Sequence, residues 1–216
     1  MVSTPDLIDR LCANLKPVRR LRAPLLRAAL WLLLAAAIIA LLAVVHGPRS
    51  DLALLLRSPS FAAALAGSLL TGALAAIAAF QLSLPDRSPL WLLLPAPALV
   101  LWLSTIGYGC LTDWVSLGPG GVRLGSTLEC FATLLLVSLP PAGALVLMVR
   151  HTAWLDPMPV AISGGVAVGG IAASAMSLLH DLDATVMVLA WTLGATFLIV
   201  ALGGLFGRRI FAPPRS

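Results

Sequence analysis

The sequence predicts an all-α fold: a polytopic membrane bundle of six transmembrane helices, preceded by a short cytoplasmic amphipathic helix. Three observations carry this. Of 216 residues, 60% are hydrophobic and 11% charged, whereas soluble domains run at roughly 45–50% apolar and about 25% charged. The mean hydropathy of +1.01 excludes an ordinary soluble domain, a disordered chain and a disulfide-stapled secreted module. Finally, the apolar residues gather into six long runs, each close to the roughly 20 residues that a helix needs to cross a hydrocarbon core about 30 Å thick.

The runs are Arg27–Val45, Phe61–Leu84, Leu90–Gly109, Phe131–Val149, Val160–Leu179 and Ala184–Phe206. They do not alternate apolar with polar, so they are helices and not barrel strands. Breaks rich in Gly, Pro and charge separate them: His46–Ser60, Pro85–Pro89, Cys110–Glu129, Arg150–Pro159 and His180–Asp183. Gly118-Pro119-Gly120-Gly121 reads as a turn. The expected organisation is a cytoplasmic segment over residues 1–24, a transmembrane domain over 25–206 as three hairpins, and a basic tail over 207–216.

Lys and Arg set the orientation. With the N-terminus inside, the inner segments hold Arg10, Lys16, Arg19, Arg20, Arg22, Arg27, Arg87, Arg150, Arg208, Arg209 and Arg215, and the outer ones only Arg49, Arg57 and Arg123. This bias places both termini in the cytoplasm. It also accounts for the net charge of +5 without direct binding to nucleic acid. A cleaved signal peptide is not expected, because the first run is too long, begins late and lacks a small-residue cleavage site. Trp31, Trp91, Trp114 and Trp154 fall at the interfaces of an aromatic belt, while Trp102 and Trp191 lie deeper as packing residues.

Ser3 or Thr4 can cap a helix with Pro5 at its first position and Asp6 and Asp9 in its first turns. Leu7, Ile8, Leu11 and Leu15 recur at helical spacing as one apolar stripe. Pro17 ends that helix, and Arg19, Arg20 and Arg22 lead to the membrane. Two readings stay open on these residues: an interfacial anchor on anionic lipid, or a helix that docks in a groove on a soluble partner.

Within the spans, Gly164, Gly165, Gly169 and Gly170, and later Gly203, Gly204 and Gly207, are small-residue stripes. They serve packing inside one bundle or, as the weaker alternative, a homodimer through helix five or six. Pro95, Pro97, Pro140 and Pro141 are expected to kink their helices. No span carries a charge well inside it, which speaks against a pump or an ion-coupled carrier. Thr105-Ile106-Gly107-Tyr108-Gly109 looks like a potassium-channel filter, but it ends a run of spanning length instead of following a re-entrant pore helix. No catalytic signature is present, and an enzyme is not expected.

Cys12 reads as an apolar-face residue of a reducing compartment. Cys110, Cys130, His46, Asp113, Glu129, His180, Asp181 and Asp183 share the outer face. They are either ordinary headgroup-level polar residues or a thiol or metal sensor, since thiolate, imidazole and carboxylate together suit zinc or a similar ion.

Taken in order, Asp6-Leu7-Ile8-Asp9 through Pro17-Val18-Arg19-Arg20-Leu21, Gly109-Cys110, Asp113-Trp114, Leu124-Gly125-Ser126 before Cys130, Ser138-Leu139-Pro140 and His180 resemble the NrsF (negative regulator of sigma-F) family of bacterial membrane anti-sigma factors. The likeness covers essentially the whole chain. It implies an inner-membrane protein whose N-terminal segment holds an extracytoplasmic-function sigma factor, through Leu7, Ile8, Leu11, Leu15, Arg19 and Arg20. It also implies periplasmic cysteines that take part in stress sensing, making Cys110, Cys130, His180 and Asp181 the sensing candidates. Cys130, His180 and Asp181 are then candidates for a regulatory metal ion; no other cofactor is expected. In the family pattern a cysteine follows the histidine at the position of Asp181, which speaks against a simple disulfide switch between those loops. A channel or small-solute carrier is the rival class.

Overall fold

The computed structural model describes residues 22–47, 49–114, 124–150 and 157–179, together with the single residues 4, 12, 13 and 194. Every long element among them is a helix: α1 (Pro24–His46), the short α2 (Leu52–Leu55), α3 (Pro59–Leu82), a 3₁₀ helix (Pro89–Leu93), α4 (Ala96–Trp114), α5 (Leu124–Val149) and α6 (Pro157–Leu179). The first five predicted runs thus fall on α1, α3, α4, α5 and α6. The sixth, Ala184–Phe206, and the glycines Gly203, Gly204 and Gly207 lie outside the described residues, as does most of the segment before Arg22.

Prolines set the helix starts. Pro24, Pro59 and Pro157 each open a helix, where the missing N–H is one that the first turn leaves unbonded anyway. Ala23 before Pro24 is extended, at φ −51° and ψ 137°, as the prolyl ring requires of its predecessor. α1 ends at Gly47, whose φ of 80° is the left-handed conformation open to glycine. Pro95 and Pro97 act the same way and do not kink a span. Pro95 lies between the 3₁₀ helix and α4, its carbonyl accepting from Leu99 N at 2.9 Å, and Pro97 is the second residue of α4. Among the described residues, only Pro140 and Pro141 sit deep inside a helix, in α5.

Among the described residues, three helices are long and apolar enough to cross a membrane: Pro24–Val45, Pro59–Leu82 and Pro157–Leu179. Their apolar windows are 22%, 39% and 67% buried in turn, so α1 is peripheral and α6 central. The outward face of α1 carries Leu33, Leu41, Val44 and Val45, a surface matched to hydrocarbon. α4 and α5 hold shorter apolar stretches, Pro89–Thr105 and Thr133–Val149.

α6 is central because its side chains are small. Gly164, Gly165, Ala167, Gly169, Gly170, Ala172, Ala173 and Ala175 are all buried, and small residues let helix backbones approach closely. α3 is its most extensive neighbour. A Cβ added to Gly170 would lie 2.7 Å from Gly72 N and 2.8 Å from Ser68 O, and one on Gly72 would lie 3.0 Å from Ile171. Ser68 Oγ and Ser174 Oγ share a hydrogen bond of 2.8 Å one turn away. Leu145 of α5 fills the space over Gly164. The glycine stripe of the fifth run is therefore used up inside one chain, and none of its four glycines is left exposed for a homodimer.

Around this waist the core has two halves. Trp31, Phe80, Leu145, Val149 and Val160 pack in one; Leu42, Trp102, Leu134, Val137, Met176 and Leu179 pack in the other. Trp102 seats over Gly67, the packing role its depth predicts. Trp31 is a correction to the aromatic-belt expectation: it is 0% exposed, turned into the bundle and not into a membrane interface.

Candidate functional site

The start of α1 lies at the basic end of the bundle, and the predicted partner-binding segment precedes it in the sequence. Arg22 and Ala23 are exposed there, immediately ahead of α1. Arg87 and Arg150 are exposed in the connections at the same end. Arg27, one helical turn into α1, behaves differently. It is 5% exposed, although an arginine near a helix end ordinarily extends its head to the water.

Three groups hold it. Arg27 Nη2 donates to the carbonyl of Met148 near the end of α5. Nη1 reaches Ser83 Oγ just past α3 at 3.5 Å, a long contact. The guanidinium lies over the Phe80 ring, 5.0 Å from its centre, within range for a cation–π attraction. Ser83 is itself fixed by donating to Phe80 O at 2.7 Å. One turn further along α1, on the same face, Trp31 Nε1 donates to the carbonyl of Pro141 at 2.8 Å. Arg27 and Trp31 therefore clamp α1 to α5 at two points, Met148 and Pro141, and Arg27 also binds it to the end of α3. A hydrogen bond from a charged donor contributes roughly 1.5–3 kcal/mol, and a neutral one about 1 kcal/mol.

In the sequence Arg27 stands only as a topology charge. The available signal was its place: a lone cation in the first turn of an apolar helix, where the helix dipole disfavours positive charge, four residues from a Trp. Polar atoms near this end are not all paired. Gln81 Oε1 and Ser163 Oγ are buried without a hydrogen-bond partner, as is Thr71 Oγ1 deeper in the bundle.

The connection after α1 lies at the opposite end. Arg49 N donates to Leu178 O at 3.2 Å, so the connection after α1 rests on the end of α6. Arg49 forms an ion pair with Asp51 through Nε and Oδ1, with Nη2 to Oδ2 at 3.1 Å. That bonding holds the Asp51 carboxyl below its ordinary range, Arg49's hydrogen bond being the main cause. Cys110 and Cys130 fall within α4 and α5; their side chains, and the whole of His180 and Asp181, lie outside the described residues. Leu7, Ile8, Leu11, Leu15, Arg19 and Arg20 lie outside them as well. Cys12 is an exposed free thiol. Among the described residues no group of three His, Cys, Asp or Glu is placed to hold a metal ion.

α4 runs as helix through Thr105–Gly109. A helix turns each carbonyl along its own axis toward the N–H four residues on, so these carbonyls cannot line a pore as a selectivity filter's do.

The family pattern described as NrsF, negative regulator of sigma F, matches residues 11–212. No curated protein and no solved structure matches the chain.

Proposed function

We propose that this chain, which belongs to the negative regulator of sigma F (NrsF) family, is an inner-membrane anti-sigma factor that keeps an extracytoplasmic-function sigma factor from RNA polymerase by holding it at the membrane. The family's description carries negative regulation of a sigma factor; the family match is the observation on which the reading rests. The docking element is the cytoplasmic segment ahead of α1, with Leu7, Ile8, Leu11 and Leu15 buried against the sigma factor and Arg19 and Arg20 beside them. Removing three or four such side chains from water contributes several kcal/mol at about 25 cal/mol per Å², before ordering costs. A periplasmic oxidant or metal acting at Cys110, Cys130, His180 or Asp181 weakens that contact. Exposed Arg22 and Ala23 support a segment that leaves the bundle at the basic end.

The test is co-purification of the full-length protein with the sigma factor encoded beside its gene. Leu7→Asp with Leu11→Asp should abolish capture while membrane insertion is unchanged, because a carboxylate placed in a buried apolar contact is unpaired there. Capture that survives the double substitution would put the docking surface elsewhere. Failure of the parent to capture any sigma factor would sink the reading itself.

A further inference from the structure

We infer that Arg27 and Trp31 form a latch through which the position of α5 sets where the N-terminal segment leaves the bundle. Its use in releasing a sigma factor rests on the anti-sigma reading, but the latch does not.

The two hydrogen bonds that join α1 to α5 are paired in register. Arg27 and Trp31 are four residues apart on one face of α1, and their acceptors, Met148 O and Pro141 O, are seven apart along α5. The N-terminal end of α1 therefore meets the C-terminal end of α5, so the two helices run in opposite directions. α5 begins at Leu124 and contains Cys130. From Cys130 to Met148 is about 27 Å along one helix, at 1.5 Å per residue, so α5 reaches from the far end of the bundle to the latch. Between them lie Pro140 and Pro141. A proline removes an N–H and clashes with the carbonyl one turn back, which bends a helix at that point. These prolines fall at the upper latch acceptor itself: Pro141 is among the most deeply buried side chains, and its carbonyl holds Trp31. α1 is the least buried of the three spanning-length helices; its first turns meet α3 as well, through Ala28 and Trp31 in the core shared with Phe80 and through Arg27 on Ser83 and Phe80. A shift of α5 beyond the bend moves Met148 and with it Arg27, five residues from the exposed Arg22.

The experiment uses the full chain in lipid nanodiscs with no sigma factor present, with Cys12→Ser, Cys110→Ser and Cys130→Ser as background. Spin labels at Arg22→Cys and Arg87→Cys, both exposed, report the distance from the exit of the N-terminal segment to the end of α3. Trp31→Phe and Arg27→Met should each broaden that distribution, with Arg27→Lys restoring much of its width. Pro140→Ala, at an exposed position, removes one of the two adjacent prolines and should shift the distance by up to about 5 Å, one helical pitch. That shift should vanish when Trp31→Phe is added. Gly143→Ala, where a new Cβ meets nothing within 4 Å, should leave the distribution as it was. Thermal stability is measured alongside. Variants that lose stability while the distance distribution stays unchanged would make the latch mere packing and overturn the proposal. So would a Pro140→Ala shift that is absent, or that persists without Trp31. Because no sigma factor enters the measurement, its failure leaves the anti-sigma reading standing, and loss of sigma capture would leave the latch standing.

Discussion

Arg49 and Asp51 form an ion pair two residues apart in a connection, and the chemistry of that pair makes it pH-dependent. Asp51's carboxyl is held below its ordinary range chiefly by Arg49's hydrogen bond, so its folded value lies beneath its unfolded one. By linkage, its contribution is fully present above the unfolded value and is lost as pH falls through the folded value. Asp51 is open to solvent, so the effect is local and screened by salt. The expected outcome is that the protection factor of the Arg49 amide, bonded to Leu178 O, stays level from neutral pH to the ordinary carboxylate range and falls below it. Asp51→Asn should remove the pH dependence. A pH response that survives Asp51→Asn would assign the docking of this connection to another group. At this scale the sequence was a poor guide. Arg49 and Asp51 carry no spacing signal beyond being neighbours, and Arg27 differs from the arginines that set topology only in its place in the first turn of an apolar helix, four residues from a Trp. What separates it, a carbonyl and a ring from helices more than fifty residues away, exists only once the chain is folded.

Among the elements, α6 and α3 depend on the absence of side-chain volume. At Gly170 a methyl group would sit 2.7 and 2.8 Å from backbone atoms of α3, atoms that cannot rotate aside. Gly170→Ala should therefore separate the two helices, break the bond between Ser68 and Ser174, and cost about 1–3 kcal/mol or more, as overpacking does. Gly143→Ala provides the contrast: α5 is open there, and the gain in helix propensity is about 0.5–1 kcal/mol. Unfolding in mild detergent should place the two variants on opposite sides of the parent; Gly170→Ala equal to the parent would mean that the contact between α3 and α6 is looser than this. The elements were legible where composition alone decides them. The apolar runs match α1, α3 and α6 to within three residues at each end, the prolines that open the helices lying two or three residues ahead of the runs, and the glycine stripe announces a close approach. The role of Pro95 and Pro97 was not legible, because a proline inside a long apolar run looks alike whether it bends a helix or begins one. Trp31 was misplaced for a related reason: helix position gives depth along the membrane normal but not which way a side chain faces.

For the whole molecule, the contacts fix the direction of each described helix relative to its neighbours. Arg27 against Ser83 and Met148 puts the start of α1 beside the ends of α3 and α5. Gly72 against Gly170, with Ser68 against Ser174, runs α3 opposite to α6. The short connection through Pro89–Leu93 starts α4 at the basic end, and Trp102 over Gly67 carries it toward the far one. The five long helices thus alternate in direction, and Arg22, Arg87 and Arg150 gather at one end while Arg49 and Arg57 lie at the other. That segregation matches the excess of basic residues expected on the cytoplasmic side. On the six-span reading, five crossings leave residue 179 at the end away from Arg22, so a cytoplasmic C-terminus requires Ala184–Phe206 to cross once more. Fusions to a reporter active only in the cytoplasm should therefore be active after Arg22, Arg87, Arg150 and Arg208, and inactive after Arg57 and Arg123. An inactive fusion at Arg208, with the others as expected, would leave five crossings and put the basic tail outside the cell membrane. An inactive fusion at Arg87 would break the pairing of α3 with α1 and undo the six-span fold altogether.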